Sequence, residues 1–339
     1  MNNRLVDKTL SAPITVTWEI TTKCNLSCIH CLSSSGVKLK ELSTTECFNL
    51  VDQLAELKVF RINFGGGEPF IRDDFMQLLD YTNSKSIITC VSTNGTMLDE
   101  KLVDSFKKWG EDNFFIQVSL DGASKESNDR IRGKGTFEQI ERAVKLLSNA
   151  QMEFTINTVL TSINYGELMD LYRFAKTNKA KLRVSRLRPS GKGKENWSEL
   201  SLSREQMENF PKFLHAHDDV LTGDSFFFLT SASRQSLGLN MCGAAKLTCS
   251  IAPDGKIYPC PFLQEPEFEA GDIRNETFSN IWNNSSILDL FRHRNVDACR
   301  SCYRLDSCHG GCPAVGYYMS KSLNEPDPEC IANKSTKFT

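Results

Sequence analysis

Three cysteines near the start of the chain constrain its fold more than any other feature. They are Cys24, Cys28 and Cys31, so three thiols with C-x3-C-x2-C spacing lie within eight residues. A single loop can turn three thiols spaced in this way toward one point. A 4Fe–4S cluster is normally held by four thiolates, so a loop with three leaves one iron free to bind another molecule. The spacing therefore predicts an iron–sulfur site at which chemistry takes place.

Two other interpretations of these cysteines are open. Zinc sites usually pair two C-x2-C knuckles, and an x3 gap followed by an x2 gap suits a cubane better than a tetrahedral ion. A disulfide framework requires an oxidising compartment, whereas the chain opens with MNNRLVDKTL and has no apolar signal core. Disulfides are the least favoured, and a non-catalytic zinc-binding interaction protein is the alternative from another functional class.

The middle of the sequence alternates strands and helices with a period of about thirty residues. Strands are predicted at 14–20, 59–64, 87–91, 114–120, 154–160 and 182–187. Helices are predicted after the capping box Ser43-Thr44-Thr45-Glu46 and at 73–83, 99–109, 136–149 and 165–178. Six such units predict an α/β fold with parallel strands, a partial (β/α)6 TIM barrel short of the eight units of a closed one.

The remaining cysteines mark a second region. None lies between residues 91 and 241, whereas eight lie from Cys242 to Cys330. The last hundred residues therefore indicate a small C-terminal Cys-rich lobe that bound metal, and not a large apolar core, holds together. The expected division is an N-terminal segment 1–13, a partial barrel 14–220 and a cysteine-rich domain 221–339.

Charge and hydropathy exclude some classes of function. The formal net charge of -2 and the pI near 6.3 argue against a general nucleic-acid binder, which would carry a basic stripe. No apolar run approaches the length that spans a bilayer. We therefore expect a cytoplasmic protein with no nucleic-acid and no membrane partner.

Unusual residues follow four consecutive predicted strands. The cysteines follow the first, Gly66-Gly67-Glu68-Pro69 the second, Ser92-Thr93-Asn94-Gly95 the third and Asp121-Gly122 the fourth. Each alone is typical of a tight turn, but the carboxyl ends of parallel strands meet at one edge, where ligands bind. Glycine backbone and one carboxylate could bind an α-amino group, while Asn94, Ser119 and Asp121 could bond ribose hydroxyls or a carboxylate.

These features together resemble the radical S-adenosylmethionine superfamily. The resemblance implies that Cys24, Cys28 and Cys31 hold a 4Fe–4S cluster whose open iron chelates the amino and carboxylate groups of S-adenosylmethionine. One electron then splits a C–S bond and yields a 5′-deoxyadenosyl radical. The implied contacts to S-adenosylmethionine are His30, Gly66, Gly67, Glu68, Pro69, Ser92, Asn94, Ser119, Asp121 and Arg132.

The cysteine-rich tail resembles a SPASM domain, which holds two further 4Fe–4S clusters, for three in all. The implied ligands of the first auxiliary cluster are Cys242, Cys249, Cys260 and Cys312. Those of the second are Cys299, Cys302, Cys308 and Cys330. Cys47 and Cys90 are left over and are predicted to be buried small apolar residues.

Several longer runs resemble one subfamily, the mycofactocin radical maturases. They are 12–19, 28–36, Arg186-Leu187-Arg188-Pro189-Ser190-Gly191, 221–227, 271–273 and Pro326-Asp327-Pro328-Glu329-Cys330. Taken singly, the Arg/Lys cluster at 181–194 indicates a solvated surface and Phe226-Phe227-Phe228 indicates core. Together these runs carry the resemblance.

This resemblance implies a substrate and partners. The family oxidatively decarboxylates the C-terminal Tyr of a small ribosomal precursor peptide ending in Val-Tyr, then joins the Val side chain to the resulting tyramine carbon. A separate recognition protein presents the peptide, because only 13 residues precede the first predicted strand, and a flavodoxin or ferredoxin donates electrons. Another SPASM enzyme, forming a thioether or a different C–C crosslink, is the nearer alternative. No catalytic base is assigned, since Pro261 and Phe262 follow Cys260 where some relatives carry an acid.

Overall fold

The computed structural model describes residues 10–33, 35–222, 226 and 242–331. Ser34, residues 223–225, Phe227 and Phe228, which belong to runs singled out above, lie outside the described residues, as do residues 1–9.

The described strands form one sheet of nine, in the order β6-β5-β4-β3-β2-β1-β7-β8-β9. Their bounds are β1 Thr15–Thr21, β2 Arg61–Gly66, β3 Ile88–Thr93, β4 Phe114–Ser119, β5 Phe154–Leu160, β6 Lys181–Arg186, β7 Thr248–Ile251, β8 Lys256–Tyr258 and β9 Gly271–Asp272. Strands β1 to β6 are parallel neighbours, which confirms the predicted α/β partial barrel. The order is that of consecutive βα units with crossover helices.

Helices connect the parallel strands and cover one face of the sheet. In the barrel they are α1 Thr44–Glu56, α2 Phe75–Ser84, α3 Glu100–Phe106, α4 Lys125–Arg132, α5 Thr136–Asn149, α6 Leu168–Thr177, α7 Lys192–Glu195, α8 Trp197–Leu200 and α9 Arg204–Ala216. In the C-terminal part they are α10 Phe278–Asn284, α11 Ser286–Arg292, α12 Leu305–Cys308 and α13 Pro313–Ser320. The predictions missed α4, whose residues are mostly polar, and all helices after α6, including α9, although its buried Met207, Phe210 and Leu214 recur at helical spacing.

Apolar side chains alternate along the strands and pack against these helices. On β1, Val16, Trp18 and Ile20 are buried, and the Trp18 ring lies 5.7 Å from that of Phe64 on β2. The Phe64 ring in turn meets Phe75 of α2 edge to face at 5.6 Å. This alternation leaves the other side chains of each strand to face the interior of the barrel.

The C-terminal part continues the sheet of the barrel. Strand β7 pairs in parallel with β1, from Thr15 opposite Thr248 to Trp18 opposite Ile251, and β8 and β9 follow as antiparallel strands. The sheet thus has a seventh parallel strand, where the sequence predicted six. The prediction that this part lacks a large apolar core was wrong, because its helices bury Phe278, Trp282 and other large apolar side chains. Phe226, predicted as core, is buried.

Helix α1 ties the two parts together at its N-terminus. The Ser43 hydroxyl accepts a hydrogen bond from the Glu46 N–H, and the Glu46 carboxylate accepts one from the Ser43 N–H at 2.8 Å, which confirms the predicted capping box. Glu46 also forms an ion pair of 2.7 Å with Arg274, which donates to the Asp254 carbonyl oxygen at 2.7 Å. Within the described residues, no helix is both long enough and apolar enough to cross a membrane.

We expect Ser43→Ala to lower the free energy of unfolding by about 1 kcal/mol, because the first turn of α1 loses its side-chain acceptor. Urea unfolding of the apo protein measures the effect. Ser43→Thr keeps the capping oxygen and should change the free energy by a few tenths of a kcal/mol at most. Equal losses in the two variants would contradict the assignment.

Candidate functional site

The cysteine loop leaves β1 directly and is fastened to the neighbouring strand. The Gly67 N–H donates to the Thr21 carbonyl oxygen at 2.8 Å, and the Glu68 N–H donates to the Lys23 carbonyl oxygen at 2.8 Å. A Cβ at Gly67 would lie 1.9 Å from the Lys23 oxygen, so only glycine allows this approach. The carboxyl ends of β1 and β2 therefore fix the start of the loop.

The far end of the loop is held by the segment that follows β6. The Lys192 N–H donates to the Cys31 carbonyl oxygen at 2.9 Å, and the Asn196 side-chain amide donates to the Ile29 carbonyl oxygen at 2.9 Å. Gly191 has φ of +52°, and a Cβ there would lie 2.5 Å from the Cys31 oxygen. The segments that follow the second and the sixth strand thus both contact the loop.

The three loop thiols lie within electrostatic range of one another. Burial is the main cause that raises the pKa of Cys28 to about 11; Arg132 opposes it, and Cys31 and Cys24 add to it. Cys24 accepts a hydrogen bond from the Leu26 N–H at 3.4 Å. Three half-buried thiols with an N–H donor and a nearby guanidinium are a donor set that fits an anionic iron–sulfur cluster.

Asp121 joins two of the other predicted residues. One oxygen of its fully buried carboxylate lies 2.5 Å from His30 Nε2 and 2.6 Å from Arg132 Nε, and the other accepts from the Val159 N–H at 2.7 Å. Burial acts to raise the pKa of Asp121, but the charges of Arg132 and His30 outweigh it and lower the pKa to about 2. Protein groups thus take three of the roughly four acceptor positions of the Asp121 carboxylate, and its contact with the ribose or carboxylate of S-adenosylmethionine remains a prediction.

Glu68 and Asn94 form a second buried group at the ends of β2 and β3. The Glu68 carboxylate accepts from the Thr93 hydroxyl at 2.8 Å and from the Asn94 N–H at 2.7 Å. Burial raises the pKa of Glu68 to about 7 against these hydrogen bonds. The Asn94 side-chain amide donates to Asn25 at 2.8 Å and lies 3.9 Å from the Cys24 sulfur. Both side chains therefore position the loop in this arrangement.

The other predicted contacts lie along the same edge of the sheet. Gly66 ends β2, has φ of +119° and accepts from the Ser33 hydroxyl at 3.3 Å. Pro69 is buried in the turn that follows Glu68. The Ser92 hydroxyl on β3 accepts from the Gln117 amide at 3.2 Å, and Ser119 ends β4 opposite Asn157 of β5. Their contacts with S-adenosylmethionine remain predictions.

The tail thiols fall into two groups. Burial, and then the nearby thiols of Cys242 and Cys312, hold the pKa of Cys260 well above its usual range. Burial likewise raises the pKa of Cys299, with Cys330 and Cys302 adding to it, and burial raises the pKa of Cys308 to about 12, with Asp327 and Cys330 adding to it. The second group contains all four cysteines of the second predicted set.

Cys249 is not brought into the first group. It is fully buried on β7 opposite Val16, on the face that also carries Ile251 and Trp18. Ser250 lies on the opposite face, where the Gln264 amide donates to it at 3.1 Å. Burial holds the pKa of Cys249 above its usual range, and the charge of Arg292 at the end of α11 opposes it. This arrangement does not support Cys249 as a ligand together with Cys242, Cys260 and Cys312. Of the two cysteines left over, Cys47 is buried as predicted, whereas Cys90 is partly exposed.

Sequence reasoning missed a buried carboxyl inside the barrel. Glu19, near the end of β1, is 5% exposed and accepts from the Gln264 amide at 2.9 Å. Burial raises the pKa of Glu19 to about 7, with the Gln264 hydrogen bond opposing it. The period-two alternation of β1 placed Glu19 on the interior face, and this signal was available in the sequence.

Comparison with known families divides the chain in a similar way. Residues 18–175 match the Radical SAM superfamily, and residues 242–303 match an iron-sulfur cluster-binding domain named SPASM.

Two similar proteins are called mycofactocin maturase MftC. The one from Mycolicibacterium smegmatis is 42% identical over 332 residues, which cover 96% of this chain and 84% of that protein. The one from Mycobacterium tuberculosis is 40% identical over 336 residues, which cover 97% of this chain and 85% of that protein.

Solved structures share the fold at low identity. Streptococcus suis SuiB bound to its precursor peptide SuiA superposes with a TM-score of 0.76 at 19% identity, over 96% of this chain and 77% of SuiB. The protein anSMEcpe with bound AdoMet superposes with a TM-score of 0.74 at 22% identity, over 94% of this chain and 91% of that one.

We expect Glu19→Gln to stabilise the apo protein at pH 8 but not at pH 5. A carboxyl whose folded pKa is raised contributes its stability below the unfolded value of about 4.5 and loses it as the pH rises toward about 7. At pH 8 the variant's free energy of unfolding, measured with urea, should exceed that of the unaltered protein by up to about 3 kcal/mol. The exposed control Glu56→Gln should leave the difference between the two pH values unchanged, and an equal effect of Glu19→Gln at both would refute the assignment.

Proposed function

This chain belongs to the mycofactocin maturase family of radical S-adenosylmethionine enzymes with a SPASM domain, and we propose that it modifies a ribosomal precursor peptide ending in Val-Tyr. The reaction is the oxidative decarboxylation of the C-terminal Tyr, followed by a C–C bond between the Val side chain and the resulting tyramine carbon. The observation that carries the proposal is the 42% identity over 96% of the chain.

We propose that Cys24, Cys28 and Cys31 hold the cluster at which S-adenosylmethionine binds. When bound, the cluster supplies the electron that cleaves S-adenosylmethionine to the 5′-deoxyadenosyl radical. The chain's own residues keep the loop in place: Asp121 fastens His30 and Arg132 with distances of 2.5 and 2.6 Å, and Asn94 fastens Asn25. These buried contacts support a rigid loop at the carboxyl ends of the strands, where a peptide end can be aimed.

Two further clusters are part of the proposal. The grouping of Cys299, Cys302, Cys308 and Cys330 supports one four-thiolate site. The grouping of Cys242, Cys260 and Cys312 supports a second site with three thiolates from the described residues.

The oxidative decarboxylation of the Tyr releases one electron, which an acceptor must take up. Removal of one hydrogen atom by the deoxyadenosyl radical, followed by loss of carbon dioxide, one proton and one electron, leaves the peptide lighter by carbon dioxide and two hydrogens. The tail clusters are suited to accept that electron, because cluster potentials respond to local charge and burial. A recognition protein for the peptide and a flavodoxin or ferredoxin as electron donor complete the proposal.

Anaerobic turnover tests this function. Reconstituted protein, reductant, S-adenosylmethionine, the recognition protein and a peptide ending in Val-Tyr are combined, and mass spectrometry follows the peptide and the nucleoside. We expect loss of carbon dioxide and two hydrogens from the peptide together with 5′-deoxyadenosine. Deoxyadenosine with an unchanged peptide would reject the substrate and favour another SPASM peptide enzyme, whereas bound zinc in place of iron would reject the radical chemistry.

A triple variant separates radical generation from tail-cluster binding. Cys24→Ala, Cys28→Ala and Cys31→Ala together should abolish deoxyadenosine formation and remove about four of about twelve irons per chain. Cys47→Ala, a buried cysteine outside all three groups, is the matched control and should keep the iron. Deoxyadenosine formation by the triple variant would place the radical chemistry elsewhere.

We expect Cys249→Ala to retain the iron content and electron paramagnetic resonance signals of the unaltered protein, because its side chain lies on the helix-covered face of β7. Cys260→Ala, at a buried position in the first group, should lose about four irons. Iron analysis after reconstitution measures both, and equal iron loss in the two variants would restore Cys249 to the ligand set.

A further inference from the structure

Two runs that distinguish the subfamily in sequence meet in the structure. Arg186, the last residue of β6, donates from Nη1 to Asp327 Oδ2 at 2.6 Å and from Nη2 to Asp327 Oδ1 at 2.7 Å. Its Nε donates to Glu329. The prediction that the cluster at 181–194 is a solvated surface was therefore wrong for Arg186, because two carboxylates 141 and 143 residues later in the chain enclose it.

This ionic group is almost completely removed from water. The side chains of Arg186 and Asp327 are each 1% exposed and that of Glu329 is 7% exposed. Burying charge is costly unless each group is paired and hydrogen-bonded, and the planar guanidinium matches a carboxylate with two parallel bonds. Lysine has the charge but not this fork. The site therefore demands arginine.

Asp327 connects Arg186 to the backbone of one cysteine in each auxiliary set. Its Oδ2 accepts from the Cys312 N–H at 3.0 Å. Its carbonyl oxygen accepts from the Cys330 N–H at 3.1 Å. The barrel strand β6 is thus connected, through one carboxylate residue, to the backbone of a thiol in each group.

The loop between these cysteines has little freedom to adjust. Gly311 has φ of +79°, and a Cβ there would lie 2.2 Å from the Asp327 Cβ. On the other side, Arg294 donates to the carbonyl oxygens of His309 and Glu325, each at 3.0 Å. The two arginines enclose the segment, so a shift of Asp327 must move the ligand loop with it.

We propose that Arg186 is a positioning residue that sets the geometry of both auxiliary clusters from the end of the barrel strand. This proposal rests on one part of the proposed function, namely that each of the two groups of tail thiols holds a cluster. Arg186 acts through Asp327, which accepts from the backbone N–H of Cys312 and from that of Cys330. Its removal leaves two buried carboxylates without their cation, next to thiolates that bind an anionic cluster.

Three variants and a control test this role in the full-length chain, reconstituted anaerobically. Arg186→Met should reduce the iron from about twelve to about four per chain, leaving the cluster of the N-terminal loop. Arg186→Lys keeps the charge and should fold as the unaltered protein does, as judged by circular dichroism. Glu329→Gln keeps an oxygen acceptor for Arg186 and should retain the iron. Arg173→Met, in an exposed ion pair with Asp170, is the matched control and should change nothing.

The decisive readout is the reduction potential of the auxiliary clusters, followed by electron paramagnetic resonance during a redox titration. In Arg186→Lys we expect their potentials to become more negative, because an ammonium cannot bond both carboxylates as the guanidinium fork does and leaves more of their negative charge to act on the clusters, while the potential of the N-terminal cluster stays unchanged. Deoxyadenosine formation should persist as peptide modification falls.

The outcomes separate this inference from the proposed function. Unchanged auxiliary potentials and full iron content in Arg186→Lys would overturn the positioning role. If Arg186→Met does not fold, Arg186→Lys alone decides. Unaltered protein that binds only about four irons would instead refute the assignment of the tail clusters, and the inference with it.

Discussion

The fully buried carboxylate of Asp121 is the interaction on which the candidate site depends most. It holds His30 of the cysteine loop and Arg132 at the end of α4 with one oxygen, and the backbone of β5 with the other. A buried anion is stable only while its cations and donors are in place, so the loop, the helix and the strand must assemble together. The Ile29 N–H donates to the Ile131 carbonyl oxygen at 3.0 Å and reinforces the same junction. The thiols are thereby placed before any cofactor is bound.

Strand β1 joins the barrel to the cysteine-rich part. Because β7 pairs with β1, the strand that leads into the cysteine loop is flanked on one side by β2 and on the other by a strand from the C-terminal part. Gln264 bridges the same junction by donating to both Glu19 and Ser250. The two thiol-bearing regions therefore share one sheet, and a disturbance of β1 reaches both.

Much of the barrel could be predicted from sequence, because period-two and period-3.6 patterns are local. The strand at Phe154–Leu160 and the helix at Thr136–Asn149 have the predicted bounds. The pairing of β7 with β1 could not be predicted, since a four-residue strand carries little pattern and its partner lies far away in the chain. For the same reason the sequence predicts a solvated Arg186, since nothing near it in the sequence reveals its contact with Asp327. The sequence placed the motif glycines and carboxylates correctly at the carboxyl edge of the sheet. Their spacing could not show that the Glu68 carboxylate bonds the turn after β3 or that Asp121 bonds His30 of the cysteine loop.

The position of β1 in the sheet also bears on how the chain folds during synthesis. One of its edges is filled early by β2, but the other waits until residues 248–251 have left the ribosome. Long-range parallel pairing forms slowly, and an open strand edge on a nascent chain invites association with other chains. The N-terminal thiols are thus made long before the sheet that supports them is complete. A cluster inserted before β7 pairs with β1 would bind to an incompletely folded sheet. The order of translation therefore favours delivery of iron and sulfide to the finished chain.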